Sequence, residues 1–182
     1  MKKIAPMMAS ILAALLLTAC IAPLPPAAET PAPEATAAAA DNAELAFSLT
    51  TLTGDTLDQS FFSEHKLVMV NYWATWCGPC VGEIPDLVQI SKDYADKGFA
   101  IVGVLTWDDD IDGAKRFIAD AKVTYPVVLA EGLFLDYTEG MYGIPTTLFF
   151  DAAGKQIGDA VVGAKSYEDW SGLIDLLLGQ VK

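Results

Sequence analysis

Two cysteines, Cys77 and Cys80, stand three residues apart in the segment Trp-Cys-Gly-Pro-Cys at residues 76–80. The apolar run before them, residues 67–73, predicts a buried strand, and the pattern from Val81 onward predicts a helix. Two thiols at the first turn of a helix can close a disulfide and reopen it. The positive end of the helix dipole also favours the thiolate of Cys77. The spacing therefore predicts thiol–disulfide exchange.

The order of the two thiols predicts their roles. Cys77 lies at the helix start, nearer to solvent, and is the expected nucleophile that forms a mixed disulfide with a substrate. Cys80 lies one turn deeper, and it then attacks the sulfur of Cys77 and releases the reduced substrate. Pro79 falls in the first helical turn, where its missing N–H costs no hydrogen bond.

A structural zinc site is the main alternative for two cysteines at this spacing. Zinc would need about two further ligands, and the chain offers a single histidine, His65, which we expect in a solvated loop. Three aspartates at residues 108–110 precede a predicted helix, where carboxylates cap free amides. We therefore expect no metal, and no cofactor beyond the redox-active pair itself.

Residues 1–19 have the pattern of a secretory signal, since Lys2 and Lys3 precede an apolar segment too short to span a bilayer. The segment ends in Leu-Thr-Ala-Cys at Cys20, which resembles a bacterial lipobox. That resemblance implies cleavage before Cys20 and a lipid on this cysteine, which would anchor the chain to a bacterial membrane. An ordinary secretory signal with an incidental cysteine is the alternative.

No later segment is long and apolar enough to be a transmembrane helix, so we expect the rest of the chain outside the cytoplasm, on the periplasmic or outer surface side. With Cys20 lipidated, only Cys77 and Cys80 remain to form a disulfide. Their short loop constrains little unfolded chain and stabilises little, which favours a chemical purpose. The net charge of −13 disfavours a nucleic-acid partner.

Composition divides the chain into an N-terminal signal, a tether and one domain. Residues 20–43 are rich in Pro and Ala and predict a semi-rigid tether, and residues 44–182 predict an α/β domain with a mixed central sheet flanked by helices. Strands are predicted at residues 46–52, 56–57, 67–73, 99–106, 125–129, 144–151 and 155–162. Helices are predicted at residues 81–97, 111–122, 133–142 and 169–178.

The segment Asn-Tyr-Trp-Ala-Thr-Trp-Cys-Gly-Pro-Cys-Val-Gly-Glu-Ile-Pro at residues 71–85, with Ile-Pro-Thr-Thr at residues 144–147, resembles the thioredoxin superfamily. More narrowly, it is similar to membrane-anchored extracytoplasmic disulfide reductases of the TlpA and ResA type. The resemblance covers residues 44–182. It implies a thioredoxin-like fold with an N-terminal β-hairpin and a helix–strand insertion at residues 111–129.

The resemblance also implies a proton acceptor for Cys80. Thioredoxins place a buried Asp in the strand before the motif, and Asn71, which cannot titrate, stands at that position here. The TlpA and ResA branch has a glutamate where this chain has Glu83, and a role in tuning the active-site thiols is attributed to it. Glu83 follows Cys80 by three residues and so shares its helical face. A surface glutamate favoured by the helix dipole is the alternative.

Substrate contacts are implied as well. Pro145 aligns with the cis-proline of the superfamily, which lets the preceding residue, Ile144, pair with a substrate backbone. An ordinary trans proline at the start of an edge strand is the alternative. Trp76 is expected on the docking surface with Gly78 and Pro79, and Trp73 is expected to pack beneath the site.

The sequence therefore predicts a lipid-anchored thiol–disulfide oxidoreductase that reduces disulfides of exported proteins and acts as a monomer. The resemblance implies a membrane-embedded electron donor. A disulfide-donating oxidant with the same site and a non-enzymatic binding lipoprotein on this scaffold remain alternatives. A peroxidatic cysteine would need Thr or Ser at position 74 and Pro at position 70, where Ala74 and Val70 stand. A thioredoxin-like copper chaperone would need a histidine after the cysteines, and the chain has none there.

Overall fold

The computed structural model describes residues 47–181, so the predicted signal peptide, the lipidation site Cys20 and the tether lie outside the described residues. The strands are β1 (Ser48–Thr50), β2 (Thr56–Asp58), β3 (Leu67–Trp73), β4 (Phe99–Leu105), β5 (Val127–Leu129), β6 (Thr146–Asp151) and β7 (Val161–Val162). The helices are α1 (Ser60–Ser63), α2 (Gly78–Asp93), α3 (Ile111–Asp120), α4 (Leu133–Asp136) and α5 (Tyr167–Leu178). Short 3-10 turns follow α2 at Ala95–Lys97 and α4 at Tyr137–Gly140.

Five strands form the central sheet, in the order β5–β4–β3–β6–β7. Neighbours β5, β4 and β3 run parallel, whereas β6 is antiparallel to both β3 and β7. Strands β1 and β2 form a separate antiparallel hairpin. The structure confirms the predicted α/β class, the mixed sheet, the N-terminal hairpin and the inserted elements α3 and β5.

Strand β3 lies in the middle of the sheet and is buried on both faces. Side chains alternate across a strand, so Val68, Val70 and Tyr72 contact the core cluster that includes residues of α1 and α4. Leu67 and Met69 contact the opposite cluster, which includes residues of α2 and α5. The other odd-numbered residues of β3 share this second face, which turns them toward α2.

Several segments converge at one edge of the sheet. Parallel β3 and β4 end there in register, with Trp73 paired to Leu105, and antiparallel β6 begins there at Thr146. Helix α2 also starts at this edge, at Gly78. The loops after β3 and β4 and the segment before β6 are therefore brought together, as at the carboxyl ends of strands in other open α/β sheets.

Two predicted elements are wrong in extent. Instead of a helix over residues 133–142, the chain forms the short α4 and a 3-10 turn. Instead of a return strand over residues 155–162, it forms the two-residue β7 and an isolated bridge between Phe150 and Gln156. The positive φ angle of Gly158 (70°) interrupts the extended backbone that a continuous ladder requires.

Within residues 47–181, no helix combines the length and apolar character that a bilayer span requires. The same residues bring together no group of three or more side chains of the kinds that hold a metal ion.

Candidate active site

Cys77 and Cys80 form a disulfide at the start of α2, with their Cα atoms 5.3 Å apart. Cys77 is the N-cap residue, with an extended backbone (φ −84°, ψ 97°), and Pro79 occupies the first turn. A proline there is compatible with the helix because the first N–H groups have no partner within it. The sequence-predicted pair is therefore assembled by the local geometry of a helix start.

The two sulfurs differ in depth, in the order predicted. Cys77 keeps 5% of its surface exposed and Cys80 keeps none. The backbone N–H of Cys80 donates to Sγ of Cys77 at 3.3 Å. Once the disulfide is reduced, this donor and the helix N-terminus both favour a thiolate on Cys77. Trp73 is almost fully buried and belongs to the same cluster as the two cysteines, so its predicted place beneath the site is confirmed.

The Ile144–Pro145 peptide bond is cis, as predicted. Sγ of Cys77 lies 3.6 Å from the carbonyl oxygen of Ile144. In the disulfide this sulfur carries no proton and the approach is a contact, whereas a Cys77 thiol can donate to that oxygen. Residues 144 and 145, Gly78 and Pro79 therefore border the reactive sulfur, and the last two are exposed.

Glu83 is buried, with 3% of its surface exposed, and does not lie on the surface. Oε1 accepts a hydrogen bond from Nδ2 of Asn71 at 3.0 Å. Oε2 accepts from the backbone N–H of Lys165 at 3.1 Å and from Nε1 of Trp170 at 3.2 Å. Nδ2 of Asn71 also donates to Oγ1 of Thr147 at 3.0 Å. A buried carboxyl three residues after Cys80 is thus held from three sides.

Burial raises the pKa of Glu83 above its ordinary value, because a charged carboxylate loses its water. The hydrogen bonds from Lys165, Asn71 and Trp170 oppose this shift, and the charge of Asp86 adds to it. Burial, followed by the charge of Glu83, also raises the pKa of Tyr125. Glu83 is therefore a buried group that can hold a proton on the same helix that carries Cys80.

The loop after β4, residues 106–110, is attached to the cysteine loop. Oδ2 of Asp108 accepts hydrogen bonds from the backbone N–H of Thr75 at 2.6 Å and from its hydroxyl at 2.7 Å. Nε1 of Trp76 donates to the carbonyl oxygen of Trp107 at 2.8 Å. Of the three aspartates predicted to cap a helix, Asp110 does so by accepting from the N–H of Gly113 at 2.8 Å. Asp108 holds the cysteine loop instead.

Sequence reasoning missed Asp108, Trp107, Lys165 and Trp170. Asp108 and Trp107 could have been placed near the cysteine loop from the sequence, because the loops that follow adjacent parallel strands lie at the same edge of a sheet. The last two come from 82 and 87 residues beyond Glu83, and no local pattern relates them to it. His65, expected in a solvated loop, is half-buried, and its Nδ1 lies 2.7 Å from the carbonyl oxygen of Phe61.

Comparison with known proteins agrees with this geometry. A family model described as Redoxin matches residues 27–169. The chain is 35% identical over 133 residues to the thioredoxin-like protein YneN of Bacillus subtilis, covering 71% of this chain and 75% of that protein. It is 29% identical over 109 residues to the thiol-disulfide oxidoreductase ResA of Bacillus thuringiensis. That match covers 60% of this chain and 62% of ResA, less than two thirds of the relative's length.

Solved structures share the fold. A thiol:disulfide interchange protein of Chlorobium tepidum superposes with a TM-score of 0.65 at 33% identity, covering 72% of this chain and 92% of that one. StoA of Bacillus subtilis superposes with a TM-score of 0.59 at 20% identity, covering 70% and 95%, and this likeness concerns the fold alone. The resemblance inferred from the sequence, including its thioredoxin-like fold, is confirmed.

Proposed function

The chain belongs to the Redoxin family, and from that membership we propose that it reduces the disulfides of exported proteins through Cys77 and Cys80. Its activity is that of a thiol–disulfide oxidoreductase. The disulfide between these residues at the start of α2 is the observation that carries the proposal. Relatives named as thiol-disulfide oxidoreductases and thiol:disulfide interchange proteins support it.

The first step forms a mixed disulfide. The thiolate of Cys77 attacks one sulfur of the substrate disulfide, a bond forms between Cys77 and that sulfur, and the substrate's own S–S bond breaks. The other substrate sulfur leaves as a thiolate and takes a proton from water. Cys77 suits this step because it is the less buried of the two sulfurs.

The second step releases the substrate. The thiolate of Cys80 attacks Sγ of Cys77, so that the Cys77–Cys80 bond forms, the mixed disulfide breaks and the second substrate sulfur leaves. Two electrons have then passed from the dithiol to the substrate. We assign to Glu83 the proton that Cys80 loses, since a buried carboxyl whose pKa is raised accepts a proton near neutral pH more readily than an exposed one.

Docking is assigned to the surface around Cys77. Ile144, beside the cis bond to Pro145, offers the carbonyl oxygen that lies 3.6 Å from Sγ of Cys77 and can pair with an extended substrate backbone. Trp76, of which 62% is exposed, and exposed Gly78 and Pro79 complete this surface. A polypeptide lying across it would bring its disulfide to Cys77.

The direction of transfer is tested by the reduction potential of the Cys77–Cys80 pair. We propose reduction because Gly-Pro between the cysteines is the thioredoxin dipeptide. The full-length protein is equilibrated with glutathione and dithiol buffers, and the fraction of disulfide is measured. A value near that of thioredoxin, about −270 mV, supports a reductase, whereas a value near about −120 mV would make the protein a disulfide donor.

The activity itself is tested by substituting single cysteines. Cys77→Ser should abolish reduction of a protein disulfide while circular dichroism shows an intact fold. Cys20→Ser is the matched control, because it also removes one thiol but lies outside the residues proposed to exchange electrons, and its turnover should be unchanged. Full turnover by Cys77→Ser, after subtraction of the uncatalysed rate, would leave only a binding role for this scaffold.

We propose further that Cys20 is lipidated and holds the domain outside the cytoplasm on a bacterial membrane, as a monomer. A membrane-embedded carrier would then resupply electrons to the disulfide. The lipobox-like sequence supports this anchoring. In cells fed labelled fatty acid, the wild-type protein should carry label and sediment with membranes, and Cys20→Ser should do neither. An unlabelled, membrane-free wild type would indicate an ordinary secretory signal.

A further inference from the structure

Two exposed tryptophans next to the cysteine loop are joined by a hydrogen bond. Trp76 precedes Cys77 directly and is 62% exposed, and Trp107, in the loop after β4, is 47% exposed. The N–H of the Trp76 indole donates to the backbone carbonyl of Trp107 at 2.8 Å. The polar atom of Trp76 is therefore satisfied by the protein, and its aromatic face is free for another partner. We call Trp76 and Trp107 the tryptophan pair.

The backbone at Trp107 is held in an unfavourable conformation. Its φ angle is 53°, a left-handed value that non-glycine residues rarely adopt. Such a conformation persists only where surrounding contacts fix it, and these cases cluster at functional sites. Here the neighbouring residue, Asp108, supplies the contacts, through its two hydrogen bonds to Thr75 at the cysteine loop. The fold thus holds the half-exposed side chain of Trp107 beside the cysteine loop.

The loop that carries Trp107 is acidic. Residues 106–112 contain four aspartates and no cationic residue, and the segments that contact Cys77, residues 73–82 and residues 141–147, contain no charged residue. The whole chain carries a net charge of −13, so the wider field has the same sign. A cationic side chain beside the tryptophan pair would be attracted both by the aromatic faces and by the negative potential, whereas an anionic side chain would be repelled.

We propose that the tryptophan pair docks a Lys or Arg side chain adjacent to the reacting cysteine of an extended polypeptide substrate. The proposal rests on the proposed function, because the docked segment is the one whose disulfide Cys77 attacks. Indole is the aromatic ring that attracts cations best. Trp107 is then a residue that determines specificity, and Asp108 positions it.

The test measures exchange with short peptides whose single cysteine is disulfide-bonded to thionitrobenzoate, a coloured leaving group. The peptides are identical except that Lys, Leu or Glu follows the cysteine. Reduced full-length protein is mixed with each peptide, and the second-order rate is divided by that for the mixed disulfide of mercaptoethanol with the same leaving group. This division removes any general change in the reactivity of Cys77.

For the wild type, the Lys peptide should react about threefold faster than the Leu peptide and about tenfold faster than the Glu peptide. Trp107→Asn should lower the Lys-to-Leu ratio to about half its wild-type value, because it removes one ring of the pair and leaves Trp76 and the aspartates in place. Asn is chosen because it tolerates a positive φ. Trp107→Phe should give a ratio between those of the wild type and Trp107→Asn. Leu176→Asn, at an exposed apolar residue of α5, is the matched control and should leave the ratio unchanged.

Three results would overturn the proposal. Equal rates for the Lys and Leu peptides with the wild type would indicate a purely apolar occupant. A Lys preference that is unchanged in Trp107→Asn would place the selectivity elsewhere. A wild-type dimer in sedimentation that Trp107→Asn dissociates would assign the tryptophan pair to a second copy of the chain. No release from any disulfide would instead refute the proposed function, and the docking proposal with it.

Discussion

Asn71 of β3 donates its side-chain amide to the carboxylate of Glu83 on α2 at 3.0 Å, and both side chains are buried. Thioredoxins carry a titratable Asp at this strand position. In this chain Asn71 stands there instead, and its neutral amide donates to the carboxylate of Glu83, which extends from α2 into the same part of the interior. The even–odd alternation of β3 turns Asn71 toward α2. Asn71 cannot hold a proton, so the proton-accepting role that we propose for this interior falls to Glu83.

Glu83→Gln should change how stability depends on pH. The folded-state pKa of Glu83 is raised, so its contribution to stability is present below its ordinary pKa and is lost as pH rises through the raised pKa. The Gln variant cannot ionise and should not show that loss. Its free energy of unfolding should therefore rise relative to that of the wild type as pH increases from the ordinary to the raised pKa of Glu83. Urea unfolding of the disulfide form, in which no thiol of the pair titrates, measures the effect.

The control for Glu83→Gln is Glu168→Gln, at an exposed residue of α5. It removes a glutamate carboxyl that is exposed, not buried. The free energy of unfolding of this variant should therefore depend on pH as that of the wild type does. Parallel curves for the wild type and Glu83→Gln would contradict the burial of an ionisable group at this position.

Asn71→Asp should destabilise the protein as pH rises, because it places a second buried carboxyl within hydrogen-bond distance of Glu83. Two such groups cannot both ionise cheaply, and they would share one proton. At a pH where both would otherwise be charged, we expect a loss of about 2 to 4 kcal/mol in the free energy of unfolding. Chemical denaturation across a pH series measures it.

The same change made in the Glu83→Gln background isolates the cause. Without a carboxyl at position 83, the carboxyl introduced by Asn71→Asp faces a neutral partner, so the loss at high pH should shrink by more than half. An undiminished loss would show that Asn71→Asp acts by its own burial, and the coupling between positions 71 and 83 would be refuted.

The parts of the site that are local in sequence could be predicted, and the long-range parts could not. The cysteine pair, the buried strand before it and the helix after it are continuous in the chain, so spacing and apolar pattern indicate them. Glu83 could be named from its position relative to Cys80. Its partners Lys165 and Trp170 arrive only when α5 packs on α2, and this packing depends on the whole sheet.

The same distinction explains the fold. Long apolar strands such as β3 and β4 stand out because burial on both faces demands a continuous apolar run. The predicted return strand after β6 is too long, because no sequence feature of residues 155–162 shows where the backbone leaves the sheet. The positive φ of Gly158 turns the backbone there, and because glycine adopts positive and negative φ angles about equally, the residue type does not reveal which one is used.

Asp108→Asn should loosen the cysteine loop. Burial alone would raise the pKa of Asp108, but the hydrogen bonds from Thr75 and Asp110 outweigh it and lower that pKa. The stability from its charge is thus present above the ordinary pKa of an aspartate and is lost as pH falls through the lowered value. At neutral pH, we expect the Asn variant to lose about 1 kcal/mol.

Hydrogen exchange at the Thr75 amide gives the local readout for Asp108→Asn, since that N–H donates to the carboxylate at 2.6 Å. Exchange should accelerate in the variant. Asp109→Asn is the matched control, because it removes the adjacent charge of an exposed residue and leaves the bonds to Thr75 in place. Equal acceleration in both variants would attribute the effect to net charge alone.

Cys80→Ser should convert the enzyme into a trap for its substrates. Cys77 can still attack a disulfide, but no second thiol remains three residues on to release the product, so the mixed disulfide accumulates. With a disulfide-bonded protein as substrate, one covalent adduct per chain should appear by intact mass and disappear on addition of dithiothreitol.

Cys77→Ser is the matched control for this trap. Its remaining thiol is the one that is fully buried in the disulfide form, and it should yield no adduct. Equal trapping by both variants would mean that the two sulfurs are interchangeable and that the difference in their burial does not set the order of the steps.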